Sequence, residues 1–281
     1  MSKITPFIRC ENNANQLTQT YLSIFPESKI CESNPIVTTI EVFGQTNGGQ
    51  HSGGVRNPSI SFSLRIKDYD LTKKLWDKLI QGGQIMMDFA DYPWSKGYGR
   101  CNDSHGTSWQ VMFDDRESTS INQIIPSFMF VQHNTGKAQE AMEFYCSVFP
   151  NSTIDFTRAY GENTMGENPI HLSHAEFKLH GQQFIALDSG ANHAFNFNDG
   201  VSLMIACDGQ EEVDYYRDKL ITDGGSEVQC GWCKDKYGVS RQVIPIQLQQ
   251  ALSNPDQHKA QYAMQTMMNM KKIIIDELYQ R

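Results

Sequence analysis

The chain states one helix-to-strand joint twice, and that duplication constrains its fold more than any other feature. "YLSIFPESKI" at residues 21–30 and "YCSVFPNSTI" at residues 145–154 carry Tyr, Ser, Phe-Pro, Ser and Ile in the same order. Each reads as a helix end, a proline that cannot continue the helix, and the start of a strand. Further echoes keep the order. "DKLIQGG" (77–83) answers to "DKLITDGG" (218–225), and "CNDSHGTSWQV" (101–111) to "CKDKYGVSRQV" (233–243). The openings "ITPF" (4–7) and "IIPSF" (124–128) also correspond. A period of more than about 100 residues means fused domains rather than a solenoid of short repeats. The expected division is a first domain over 1–116, a linker over 117–122, a second domain over 123–248 and a helical tail over 249–281.

Within the second copy, "SFMFV" is apolar and strand-like, and "GKAQEAMEFYCSVF" places Ala138, Ala141, Met142, Tyr145 and Phe149 on one helical face. "TIDFTRAY" alternates, which puts Ile154, Phe156, Arg158 and Tyr160 on one side. "LSHAEFKLHGQQFIALD" reads as two strands joined at His180-Gly181. A second unit follows, with a strand at "SLMIAC", a helix at "QEEVDYYRDKL", and strands around "SEVQCGW" and "SRQVIP". The fold class is therefore α+β, with repeated βαβββ units. The copies are unequal. From the Phe-Pro joint to the next unit, the second spends about 50 residues and the first about 35. The first fills part of its span with "GQTNGGQHSGGVRNP", which is expected to form a mobile loop in place of part of a hairpin. The ending "NPDQHKAQYAMQTMMNMKKIIIDELYQR" is expected to be one long helix capped by Asn254 or Asp256, with methionines 264, 267, 268 and 270 as a docking stripe.

A net charge of −8 with scattered Lys and Arg argues against a nucleic-acid or anionic-membrane partner. No apolar run approaches the roughly 20 residues of a membrane span. "MSKITPFIRC" lacks the apolar core of a signal peptide, and seven cysteines without framework spacing fit reduced thiols. The expected compartment is the cytoplasm.

The paired βαβββ units, the pattern D-x-x-G-x-S-x-Q-V, the stretch "QCGWCKDKYG" and the ending "NPDQHKAQYAMQTMMNMKKI" together resemble the PhnB-like proteins. These belong to the glyoxalase/bleomycin-resistance/extradiol-dioxygenase (vicinal oxygen chelate) superfamily, and some carry the name 3-demethylubiquinone-9 3-methyltransferase. The resemblance implies tandem vicinal-oxygen-chelate domains. It also implies, for the enzymes of the superfamily, a divalent metal held by His or Glu from the first and last strands of each unit. Here the first strands "SFMFV" and "SLMIAC" offer no His, Glu or Asp, and Gln110 and Gln242 stand where glyoxalase-like members place a Glu. A neutral amide is a poor ligand for a hard cation, so neither a metal nor another cofactor is expected. The pattern also has Trp where Arg241 stands, while the first copy keeps Trp109, so the aromatic's contribution to a cleft is expected to differ between copies.

His174 and Glu176 alternate on one face of "LSHAEFKL", opposite Ala175, Phe177 and Leu179. They read either as an acid–base couple, since imidazole titrates near neutrality, or as a solvated strand face. As partly exposed strand-face residues, either replaced by Ala should change ligand binding more than stability, which should move by no more than about 0.5 kcal/mol. His193 lies in a loop with Phe195 and Phe197. Cys230 and Cys233 have redox-dithiol spacing, but the segment leads into a hairpin, not a helix N-terminus, which favours a structural role. A Rossmann-type S-adenosylmethionine site has no glycine-rich strand-to-helix turn to stand on. The expected function is binding of a small molecule, or small-molecule catalysis, in the second domain. Candidate lining residues are Arg158, Tyr160, His174, Glu176, His193, Trp232 and Gln242, with His51 and Trp94 as contributions from mobile loops of the first. The alternatives are a metal-dependent lyase or dioxygenase, a member of the methyltransferase-named family without a Rossmann site, and a non-catalytic interaction protein. A homodimer is compatible with all of these.

Overall fold

In a computed structural model, residues 3–10, 14–34, 36–116, 122–162, 164 and 166–279 are described, and 117–121 of the expected linker fall outside them. The first copy runs β1 (Ile4–Cys10), α1 (Ala14–Ile24), β2 (Lys29–Ser33), β3 (Val37–Val42), β4 (Gln45–His51), then β5 (Ile60–Ile66), α2 (Tyr69–Leu79), β6 (Gln84–Tyr92), β7 (Ser95–Asn102) and β8 (Ser108–Phe113). The second repeats that order with β9 (Gln123–Phe130), α3 (Ala138–Val148), β10 (Thr153–Ala159), β11 (Leu172–Leu179) and β12 (Gln182–Asp188). It continues with β13 (Val201–Cys207), α4 (Gln210–Leu220), β14 (Ser226–Glu227), β15 (Trp232–Lys234) and β16 (Ser240–Pro245). In every unit the first strand pairs in parallel with the fourth: β1 with β4, β5 with β8, β9 with β12 and β13 with β16. The helix between them is the crossover that parallel pairing requires.

The repeated joint has one structural basis. Phe25 and Phe149 are buried at the ends of α1 and α3, and Glu27 and Asn151 after the prolines both take left-handed backbone (φ 57° and 52°). The hairpins match as well. Phe43-Gly44 and His180-Gly181 turn β3 into β4 and β11 into β12 with positive φ at both positions, as a two-residue type I′ turn demands.

Two compact units divide the chain, one over Phe7–Val201 and the other over the segments on either side. In the first unit, β10-β11-β12-β9-β5-β8-β7-β6 form an eight-stranded sheet. β5 and β9 join antiparallel at its middle, with Ser61 opposite Ser127 and Arg65 opposite Gln123. The sheet therefore combines the second βαβββ unit of one copy with the first of the other. Its helix-facing side is aromatic and aliphatic: Phe62, Leu64, Val111, Phe128, Phe177 and Phe184 are buried. α2 lays Leu75, Trp76 and Leu79 on it, starting from Asp68, whose carboxylate accepts from Leu71 N at 2.6 Å. α3 lays Ala141, Met142, Tyr145 and Val148 on it, with its first turn held by Asp188 Oδ1, which accepts from Gly136 N and Ala138 N.

The first copy is not the shortened one. "GQTNGGQH" is not a loop but β4, paired antiparallel with β3 and parallel with β1. Its glycines are steric. A Cβ on Gly48 would stand 2.2 Å from the Phe7 ring, and one on Gly49 would stand 3.2 Å from Ala14 Cβ in α1. His51 ends that strand and Trp94 sits in the β6–β7 turn, so neither occupies a long loop. The reduced hairpin is in the second copy, where β14 and β15 keep two and three residues. In "TIDFTRAY", β-bulges break the alternation. Ile154 stands opposite Phe177 on the helix side, while Phe156 and Arg158 stand opposite Glu176 and His174.

In the other unit, α4 packs Val213, Tyr216 and Leu220 inward. The tail is α5 (Ile246–Leu252), α6 (Gln257–Asn269) and a final 3₁₀ turn at Ile275–Leu278 rather than one long helix. Asp256 is the α6 cap, accepting from His258 N. Met267 and Met270 pack with Leu248, Ala251, Ala263, Ile273 and Leu278, whereas Met268 is exposed. Among the described residues, no helix is long and apolar enough to cross a membrane.

Candidate functional site

The other side of the eight-stranded sheet is polar for a local reason. "SISFSLRI" (59–66) alternates, so Phe62, Leu64 and Ile66 meet the helices and Ser61, Ser63 and Arg65 share the opposite face. By register that face also carries Gln110, Ser127, Gln183, Glu176 and His174.

Glu176 is the centre of the arrangement. Its Oε1 accepts from Arg65 Nη2 at 2.7 Å, and Arg116 Nη1 approaches to 3.5 Å. His174 Nε2 lies 3.2 Å from the same oxygen, and Gln183 Nε2 donates to Oε2 at 2.8 Å. Arg116 is held in turn by the buried carboxylate of Asp114, through Nε at 2.8 Å and Nη2 at 2.7 Å. Burial alone would raise the Glu176 carboxyl. The hydrogen bonds from His174 and Arg65 and the charges of Arg65 and Arg116 outweigh it and hold the group well below the usual carboxylate range. Glu176 is thus a fixed anion that orients cationic and imidazole donors, not a proton carrier near neutral pH. Its side chain is only 12% exposed and faces a 4%-exposed Arg65, so it is not the freely replaceable strand-face residue expected from sequence. Removing it would leave a buried guanidinium uncompensated.

A second polar junction lies where β5, β8 and β9 meet. Gln110 Nε2 donates to Ser61 Oγ at 2.9 Å and to Ser127 Oγ at 3.2 Å, and its Oε1 accepts from Tyr98 Oη at 3.2 Å. The other unit repeats part of this, with Gln242 Nε2 donating to Ser202 Oγ at 2.8 Å.

Among the candidates named from sequence, His174 and Glu176 are brought together and Arg158 stands opposite His174. Tyr160 turns instead to the Asp188 carbonyl at 2.9 Å, and its phenol is pushed up to about 12, chiefly by burial. His193 bonds Ser189 Oγ at 2.9 Å, and Phe197 of the same loop packs edge-on against Phe130. Trp232 and Gln242 belong to the other compact unit, where they stand opposite each other on β15 and β16. Arg65, Arg116 and Gln183 were not foreseen. The alternation in "SISFSLRI" was the available signal for Arg65.

Trp109 and Arg241 do not face a cleft. Both are buried and serve the turn of D-x-x-G-x-S. Trp109 Nε1 donates to Asp103 Oδ2 at 2.9 Å, and Arg241 Nη2 donates to Asp235 Oδ2 at 3.0 Å. Each Asp also accepts two backbone N–H groups through Oδ1, so the copies solve one capping problem with different donors. Cys230 and Cys233 flank a turn with Gly231 in left-handed backbone, and burial pushes the Cys233 thiol up to about 12. A shallow groove of about 510 Å³ lies elsewhere, between the end of α1 and α2, lined by Leu22, Phe25, Leu71 and Lys78 among others.

The profile of the family described as 3-demethylubiquinone-9 3-methyltransferase matches residues 2–112 and 122–244. The chain belongs to this family. Among solved structures, it is similar to a Bacillus cereus PhnB protein described as a putative 3-demethylubiquinone-9 3-methyltransferase. Identity is 28%, over 40% of this chain and 100% of that one, with a TM-score of 0.37. It is also similar to glyoxalase I from Zea mays, at 10% identity over 84% of this chain and 89% of that one, with a TM-score of 0.53. A mutant of the same maize enzyme gives a TM-score of 0.55 at 11% identity, over 86% of this chain and 94% of that one. The fold is that of tandem glyoxalase-like domains. No curated protein matches the chain.

The divalent metal implied by the superfamily does not fit the residues present. The strand junction that would hold it presents the neutral amide of Gln110, already donating to the Ser61 and Ser127 hydroxyls. Among the described residues, no three His, Cys, Asp or Glu side chains gather as a metal-binding group. The nearby carboxylate, Glu176, is already engaged by two guanidinium groups.

Proposed function

We propose that this chain binds a small organic molecule on the polar face of the eight-stranded sheet, beside Glu176, and that the site works without a divalent metal. The observation that supports it most is the convergence of Arg65, Arg116, His174 and Gln183 on one carboxylate. Such a network on a face that does not pack against helices organises donors rather than a core. His174 is 29% exposed, so its ring can reach a ligand while Glu176 fixes its orientation. If the ligand is also turned over, imidazole is the group suited to move a proton.

Methyl transfer, the activity in the family's description, finds less support. The turn into α2 is Lys67-Asp68 and that into α4 is Asp208-Gly209, and neither is a glycine-rich phosphate-type loop. The test is calorimetric titration of purified protein with carboxylic acids, phenols, amino acids, nucleosides and S-adenosylmethionine, repeated with His174→Ala. The expected result is at least one small-molecule class that binds and loses at least tenfold in affinity in the variant. Binding of S-adenosylmethionine alone, unaffected by His174→Ala, would replace this reading with the methyltransferase one.

A further inference from the structure

Tyr98 and Arg100 occupy alternate positions of β7, with buried Gly97, Gly99 and Cys101 turned to the helix side. Gly99 sits there because a Cβ would stand 2.7 Å from Trp76 in α2. Tyr98 and Arg100 therefore share the polar face. Register agrees, since Arg100 pairs with Gln110 and Tyr98 with Met112, which is also the parallel partner of Arg65. The cations of this region differ in their engagement. Arg116 is locked by Asp114 and Arg65 by Glu176, whereas Arg100 has no ion-pair partner among the described residues. Beside it is an aromatic group with nothing to cover it. Trp94, 51% exposed, stacks on Tyr92 at 5.1 Å and 17°, and both meet Tyr98 edge-on at 5.6 and 5.9 Å. Tyr98 thus shares a strand face with an unneutralised guanidinium and meets a half-exposed indole, an arrangement the fold itself does not require.

The geometry points to a subsite for a small aromatic carboxylate, with the anionic group on Arg100 and the planar ring against Tyr98 and Trp94. Alternate residues on a strand are about 7 Å apart, which matches a benzoate-sized molecule lying along β7. Arg offers a planar donor fork that suits a carboxylate, and the aromatic faces select a flat partner. This rests on the reading of the face as a ligand site and names the class of ligand it takes.

The test is calorimetric titration of the full chain with benzoate, benzamide and cyclohexanecarboxylate. Benzoate should bind, and the neutral amide and the non-planar acid should bind at least tenfold more weakly. Trp94→Ala and Arg100→Gln, both at partly exposed positions, should each weaken benzoate at least tenfold and leave thermal stability nearly unchanged. Benzoate binding no tighter than either control, or unaffected by both substitutions, would overturn the subsite. A non-aromatic ligand that depends on His174 would overturn it while leaving the broader ligand-site reading standing. Benzoate binding that depends on Arg100 and Trp94 but not on His174 would keep the subsite and overturn the placement of the ligand beside Glu176 and His174.

Discussion

Arg65 Nη2 and Glu176 Oε1, 2.7 Å apart, join a strand of the first sequence copy to a strand of the second inside one sheet. Both side chains are largely withdrawn from water, and neither has another full charge so close. The pair consequently ties the candidate site to the stability of the sheet, and substitutions there will register in both.

Glu176→Ala should destabilise the protein by about 3–5 kcal/mol, because it strands the buried Arg65 guanidinium. Replacing both partners with Met should recover much of that loss. Urea unfolding of Glu176→Ala and of the double variant measures it, and equal losses for the two would contradict the prediction.

The same carboxylate predicts an acid limb. Its folded pKa is depressed by Arg65, His174 and Arg116 despite burial, so its contribution is complete above the unfolded value of about 4.3. It is lost progressively as pH falls below that toward the folded value. Glu176→Gln should therefore show a shallower decline in stability below about pH 4.5 than the unsubstituted chain. Parallel acid titrations followed by circular dichroism would reveal it.

Gly48→Ala should cost about 1–3 kcal/mol, since the new methyl would have to displace the buried Phe7 ring. Pairing it with Phe7→Leu should give back part of the loss. Gly161, with nothing near its Cβ position, offers a control for left-handed backbone strain without a clash. Thermal melts of the three variants separate sterics from conformation.

Arg241→Ala should be among the more damaging single changes in the second copy, at about 3–5 kcal/mol, by leaving the fully buried Asp235 carboxylate without its guanidinium. Trp109→Phe removes only one hydrogen bond from Asp103, which Tyr21 still bonds at 2.8 Å, and should cost less. The ordering of the two chemical-denaturation midpoints tests the claim that both residues serve the turn.

Thiol labelling should sort the cysteines by burial. Cys31 is exposed and should react first with iodoacetamide at pH 8, whereas Cys233, pushed up to about 12 by burial, should react only on unfolding. Early labelling of Cys233 would revive a redox role for the C-x-x-C pair.

The sequence alone determined what is local and what is periodic. Helix stripes such as Ala138, Ala141, Met142 and Tyr145, the His180-Gly181 turn, and the duplication itself all follow from spacing that short-range geometry imposes. The His174–Glu176 proximity was legible for the same reason, since residues two apart on a strand share a face. The glycine-rich stretch misled because composition reports flexibility, whereas Gly48 and Gly49 are set by the approach of Phe7 and α1, which are distant in sequence. Only the tertiary structure decided that β5 of one copy pairs with β9 of the other. That pairing brings Arg65 to Glu176, 111 positions away, and sets Gln110 between Ser61 and Ser127. Strand order and register between distant segments are settled by which buried faces fit together, and no periodicity within either segment encodes that choice.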